Sequence, residues 1–282
     1  MNPKSGIMLN ELLARFHPSQ RRDFYRFLSA KDRENVSQLP VPEDTNIADL
    51  MRSDAWMQPI HYSWFVSFLQ TIPPTLLLAS LPQKQAEAVA KTLESLPEKK
   101  PLPRFMQLYL SHSLKNQMQK PHILPENHLL PSALDALLSL TKPQIMHLID
   151  LLGMHDLAAD LRQVVDKTLL NKIYAALTQE QLRFLHYCSK QTMLWVPPRL
   201  NIAGWDGQKK SLNLLLHKRG LFRLAKALVS EDESLRWHFC RRIDVGRGKI
   251  LLKLFEEKFD PALAPHFKGQ VVHLIRRYQK ER

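Results

Sequence analysis

The chain has little glycine, eight residues in 282. Glycine supplies the positive-φ positions of tight hairpins, so its scarcity argues against a hairpin-rich β fold. Cysteine is scarcer still. Cys188 and Cys240 are the only two, and they form no C-x-x-C pair. Neither a disulfide framework nor a thioredoxin-type motif is suggested, and a reducing compartment is the simpler reading. Long apolar runs are also missing. The most apolar stretch, Ile72 to Leu81, falls well short of the roughly 20 residues that cross a bilayer. Met1 to Phe16 lacks the continuous apolar core and small-residue cleavage site of a secretory signal. The expected location is therefore cytoplasmic, with no transmembrane segment and with docking on a membrane-embedded partner left open.

What the chain does have is proline, 19 residues, spaced between apolar runs of helical period. Proline used in this way punctuates helices, and the fold expected is all-α: an irregular array of short helical hairpins in two to three subdomains. One joint recurs between such runs. Its copies are Leu81-Pro82-Gln83-Lys84-Gln85-Ala86, Leu140-Thr141-Lys142-Pro143-Gln144-Ile145 and Leu177-Thr178-Gln179-Glu180-Gln181-Leu182. In the second and third, Thr141 with Gln144 and Thr178 with Gln181 have capping-box spacing. In the first, Pro82 stands where a helix's opening turn tolerates a missing N–H. Leu28-Ser29-Ala30-Lys31-Asp32 reads as a worn fourth copy that lacks the glutamine.

The phase beyond the joints agrees. Ala86, Val89, Ala90 and Leu93 follow the first joint as Ile145, Leu148, Ile149 and Leu152 follow the second. After the third, Leu182 and Leu185 keep the phase while His186 and Ser189 break it. The joints are unevenly spaced, so this is a loose array and not a strict solenoid. Pro40 and Pro42 break the pattern early in the chain, and Asp44, Thr45 or Asn46 would cap a helix through Leu50 and Met51. Proline-rich 97–103 and the turn-forming stretch 196–207 divide the chain into an N-terminal helical domain (1–100), a middle helical-hairpin domain (101–195) and a basic C-terminal helical domain (196–282).

The net charge of +13 is concentrated at one end, because 21 of the 40 Lys/Arg but only 9 of the 27 Asp/Glu lie from Arg183 onward. An acidic partner is the natural complement of such a segment. Within it, Leu221, Leu224, Ala225 and Leu228 make one amphipathic face, and Val271, Leu274, Ile275 and Tyr278 another. Lys218, Arg219, Arg223 and Lys226 are expected mainly off those faces, and Gly220 at a helix end. Arg236, Arg241, Arg242, Arg247, Lys249 and Lys253, interleaved with aromatics, are candidate partner-binding residues for an acidic protein surface, membrane headgroups or a phosphate backbone. A solvated basic face with no dedicated partner is the plain alternative. The aromatic stretch around Trp56, Tyr62 and Trp64 reads first as core, because burial is what apolar helical spacing normally reports; its functional alternative is a partner-binding face.

No stretch specifies catalysis. Gly246-Arg247-Gly248-Lys249 lacks the earlier glycine and the hydroxyl of a phosphate-binding loop, with Ile243 and Ile250 in those places, and reads as a turn. His186-Tyr187-Cys188 and His238-Phe239-Cys240 place each His and Cys two residues apart, about 200° around a helix, which obstructs joint ligation of one zinc ion. The expectation is a non-enzymatic protein with no cofactor and no metal.

At the joints the chain resembles the flagellar motor-switch protein G family, whose helical domains repeat a Leu-Pro-x-x-x-Ala/Leu turn; Leu81 to Val89 carries the likeness. The run His61-Tyr62-Ser63-Trp64-Phe65-Val66, with the hairpins after it, is similar to chlamydial versions of the SctK-type accessory protein of type III secretion systems. The likeness covers about residues 60 to 190. It implies a non-enzymatic cytoplasmic adaptor, peripheral at the inner membrane through protein contacts, that bridges a membrane ring to a sorting-platform or switch-complex protein. The irregular period and basic tail depart from the motor-switch pattern and set torque generation aside. The alternative from the residues themselves is a helical nucleic-acid-binding protein using residues about 205 to 282.

Overall fold

The computed structural model describes residues 3–17, 19–38, 55–93, 102–120, 122–191, 200 and 202–280. Among them every regular element is helical, with fourteen α-helices and no strand, so the all-α expectation holds. The helix cap expected at Asp44 to Asn46 lies outside the described residues, as do residues 97–101 of the first break and 196–199 and 201 of the second.

The packing separates two units that are not consecutive in sequence. The first comprises residues 1–131 with 232–245, and the second residues 132–231 with 246–282. The expected division at 1–100, 101–195 and 196–282 does not follow this packing. A segment of the basic C-terminal stretch folds into the first unit through pairings more than a hundred residues apart, which no local pattern in the sequence announces.

In the first unit the helices are α1 (Pro3–Phe16), α2 (Arg21–Tyr25), α3 (Ala30–Ser37), α4 (Ser63–Val66), α5 (Pro74–Ser80), α6 (Gln83–Ala90), α7 (Arg104–Met118) and the returning α12 (Glu233–Arg242). Helix α12 is sewn to the segment that follows α7. Trp237 Nε1 donates to the Met118 carbonyl at 3.1 Å, His238 Nε2 donates to the Leu124 carbonyl at 2.8 Å, and the Leu124 N–H donates to Ser234 Oγ at 3.1 Å. Leu114, Leu124, Leu235 and Phe239 are all buried in this unit. The Ser29 hydroxyl caps α3 by accepting from the Asp32 N–H at 3.1 Å, so the worn fourth joint does start a helix.

The second unit holds α8 (Lys142–Leu161), α9 (Lys167–Ala176), α10 (Gln179–Ser189), α11 (Lys209–Leu228), α13 (Val245–Glu256, from Gly246 on) and α14 (Ala264–Lys280). Helices α8 and α11, each 20 residues, cross at its centre. Two glycines permit the approach: a Cβ at Gly153 would sit 2.1 Å from the Leu216 carbonyl oxygen, and one at Gly220 only 1.7 Å from that of Ile149. Gly220 is therefore an interior crossing residue and not the helix end its sequence context suggested. Ile145, Leu148, Ile149 and Leu152 are buried, as their phase predicted.

The joints start helices at all three expected places, but the glutamine does two jobs. At Thr178 the box is complete: the Gln181 N–H donates to Thr178 Oγ1 at 3.2 Å and the Thr178 N–H to Gln181 Oε1 at 2.9 Å. At Thr141 the N–H donates to Gln144 Oε1 at 2.9 Å. At the first joint the cap residue is Pro82, which has no N–H to offer. Gln85 is buried there and turns its amide outward from the helix end, donating to the carbonyls of Gln58 at 2.6 Å and Met57 at 3.2 Å.

Candidate partner-binding surface

The nine residues expected to meet a partner fall into three groups. In the first unit, Trp64 is buried and donates from Nε1 to the Ile243 carbonyl at 2.9 Å. The Arg241 guanidinium lies 3.9 Å from the Trp64 ring centroid and 5.3 Å from that of Trp237. Burial pulls its pKa below the usual arginine value, and its Nε and Nη1 have no hydrogen-bond partner, so the π faces of the two indoles hold the charge. Arg242 pairs with Glu126, Trp56 Nε1 donates to Ser111 Oγ at 3.0 Å, and Tyr62 lies against the His61 ring with centroids 4.5 Å apart. Arg236 is half-buried with its Nε enclosed. Of these six residues Trp64 is buried and the other five are half-buried.

In the second unit Arg247 is also engaged: its Nε donates to His217 Nε2 at 2.7 Å, while His217 Nδ1 lies 2.6 Å from Asp150 Oδ1. Lys249 and Lys253 alone of the nine are exposed, together with Ile250, one turn apart on the open face of α13. Of the basic residues expected off the amphipathic faces, Arg219, Arg223 and Lys226 are buried, contrary to expectation. Helix α11 is enclosed on all sides over its C-terminal half, and these long side chains reach fixed acceptors: Asp156 for both arginines and the Leu254 carbonyl for Lys226.

What the residues spare elsewhere is an exposed apolar surface on two helices of the first unit. On α1, Ile7 and Leu13 are buried while Met8, Leu12 and Phe16 are exposed, Phe16 to 63%. At 100° per residue the exposed three span one arc and the buried two lie on the opposite side. On α7, Ser111 and Leu114 face inward while Phe105, Leu108 and Tyr109 face out, Phe105 to 71% and Tyr109 to 72%. Phe27, just beyond α2, is 80% exposed. Single exposed apolar residues are ordinary, but stripes at i, i+3, i+4 and i, i+4, i+8 repeated on two helices are the pattern of a docking face. The sequence carried the signal as an excess: each helix has apolar residues on two sides, and only one side can be core.

The chemical lures resolve simply. Gly246 and Gly248 lie in the opening turns of α13, a helix and not the inter-helix turn that their sequence suggested. Cys188 and Cys240 belong to different units; each is buried, and burial pushes each thiol up to about 12, far from thiolate reactivity. Among the described residues no group of three or more His, Cys, Asp or Glu is placed to hold a metal ion. Nor is any helix among them long and apolar enough to cross a membrane. Comparison with protein families, with curated proteins and with solved structures gives no match. The fold and surface define a class, a strand-free helical protein with exposed apolar helix faces, among the described residues.

Proposed function

We propose that this chain is a non-enzymatic adaptor of a type III secretion, flagellar-related apparatus, bridging a membrane ring to a cytoplasmic sorting-platform protein. The observation that carries the binding part of this reading is the pair of exposed apolar stripes, Met8/Leu12/Phe16 and Phe105/Leu108/Tyr109, on a unit whose core is already filled by other faces of the same helices. The secretion-apparatus part rests on the resemblance of the Leu81 joint and of His61 to Val66. The exposed lysines of α13 supply a basic face for an acidic partner.

Nucleic-acid binding through residues 205 to 282 has less support. Arg219, Arg223, Arg242 and Arg247, four of the cations it needs, are fastened to acceptors inside their own units. The discriminating experiment is co-purification of the full chain with ring and platform proteins of a secretion apparatus, alongside duplex DNA and RNA at physiological salt. Recovery of a ring or platform protein is the expected result. Recovery of none, or selective nucleic-acid binding that survives the salt, overturns the adaptor reading.

A further inference from the structure

The second unit contains a cleft of about 720 Å³ walled by α8, α10, α11 and α14. Its volume is that of a small-molecule site, far larger than a single ion needs. Its walls carry the cations Arg223, Lys268 and Arg276 and three imidazoles, those of His155, His266 and His273, and no carboxylate among the described residues. Along α14 the contributors Pro265, His266, Gly269, His273 and Arg276 recur at helical spacing, so one polar face of that helix is devoted to the cleft.

Two groups at the base of the cleft are fixed yet incompletely bonded. The Arg223 side chain is only 2% exposed. Its Nη2 donates to Asp156 Oδ1 at 2.6 Å and its Nη1 to Gln270 Oε1 at 2.8 Å, while its Nε has no partner. His155 packs edge-on to Phe184, and neither of its ring nitrogens has a hydrogen-bond partner among the described residues. Burial, and then the charge of Arg223, push its pKa down to about 3, so at neutral pH the ring presents one N–H and one bare nitrogen. The Arg223 Nε is sealed inside the protein, so this guanidinium acts on the cleft through its charge, while the His155 ring on the cleft wall is the group left to bond a ligand. At the mouth Arg276 is exposed with no ion-pair partner among the described residues, whereas Lys268 is held by Glu231 at 2.6 Å. The Tyr187 and His273 rings stack at 4.7 Å and form a flat wall.

We propose that this cleft binds a small organic phosphate monoester, its phosphoryl group toward Arg223, His155 and Arg276 and its organic body along the Tyr187–His273 wall. A phosphoryl dianion offers three oxygens to donors converging from different helices, where a carboxylate offers two in one plane. An inorganic ion would leave most of the volume unfilled. The site is independent of the apolar stripes and of the adaptor reading, so either can fail without the other.

The test is calorimetric titration of the full chain with phenyl phosphate, with benzoate in parallel. Two variants keep the test independent of folding. A Cβ at Gly269 meets nothing within 4 Å, so Gly269→Glu introduces a carboxylate at the cleft without a backbone clash. Arg276→Ala removes an exposed cation. The expected result is saturable one-to-one binding of phenyl phosphate, weakened about tenfold or more by Arg276→Ala, lost in Gly269→Glu, and at least about tenfold weaker for benzoate. No saturable binding up to ~10 mM, equal affinity for benzoate, or binding indifferent to both substitutions overturns the proposal.

Discussion

Asp156 is the residue on which the second unit's electrostatics turn. It accepts from Arg219 Nε at 2.6 Å and from Arg223 Nη2 at 2.6 Å, and all three side chains are buried. Removing one member of such a cluster leaves enclosed charge uncompensated, which costs about 3–5 kcal/mol. Asp156→Ala is therefore expected to lower the unfolding free energy by that order in urea titration, and a loss under about 1 kcal/mol would contradict the assignment. His155, beside it, makes the unit sensitive to acid. Its folded pKa of about 3 lies below its ordinary 6.5. Between those values the unfolded chain takes up a proton that the folded chain refuses, so stability falls as pH falls through that window. The groups facing the ring act in both directions: Arg223, His266 and His273 add to the depression, and Asp156 opposes it. One such group changes stability by at most about 1.4 kcal/mol per pH unit. Urea titrations at about pH 7 and about pH 5 should show a loss that shrinks in His155→Gln; an undiminished loss in that variant would place the acid sensitivity elsewhere.

At the scale of elements, the crossing of α8 and α11 depends on two missing side chains. Gly220→Ala drives a Cβ into the Ile149 backbone, which cannot move aside as a flexible side chain could. The expected cost is about 1–3 kcal/mol or more. Gly269 in α14 is the internal control: its Cβ position is open, and alanine there should stabilise the helix by about 0.5–1 kcal/mol. Thermal midpoints moving in opposite directions are the expected readout, and a Gly220→Ala protein as stable as wild type would refute the close crossing. Local patterns in the sequence reached far at this scale. The capping spacing at Thr141 and Thr178, the buried phase of Ile145 to Leu152 and the strand-free fold were all legible, because each depends on neighbours within a turn or two. Gly220 was misread because a glycine near the middle of a long helix and a glycine ending a shorter one look alike until the partner helix is in place. Arg223 and Lys226 were misread for the same reason: α11 is enclosed by elements far away in sequence, and charge alone suggested solvent.

For the whole molecule, the first unit is completed by a segment from beyond residue 231, held by Trp237, His238 and Ser234 on the Met118–Leu124 backbone. Through this return Trp64, in the stretch read first as core, and Arg241, offered as a partner-binding residue, meet as an indole and a cation although they stand 177 positions apart in the sequence. The surface left for a partner was legible only as a surplus of apolar residues on α1 and α7, since nothing local says which of two apolar faces is the core. Because those stripes are exposed, changing them should leave stability within about 0.5 kcal/mol while removing binding. The most direct measurement of the central claim is therefore the affinity of the full chain for the cytoplasmic domain of a secretion-apparatus ring protein and for its platform proteins. It should be compared with that of the Phe105→Asp/Tyr109→Asp and Leu12→Asp/Phe16→Asp variants at matched thermal midpoints. The account predicts saturable binding to at least one of them, weakened about tenfold or more by one of the two double substitutions. No binding to any of them, or binding that both variants retain in full, would contradict it.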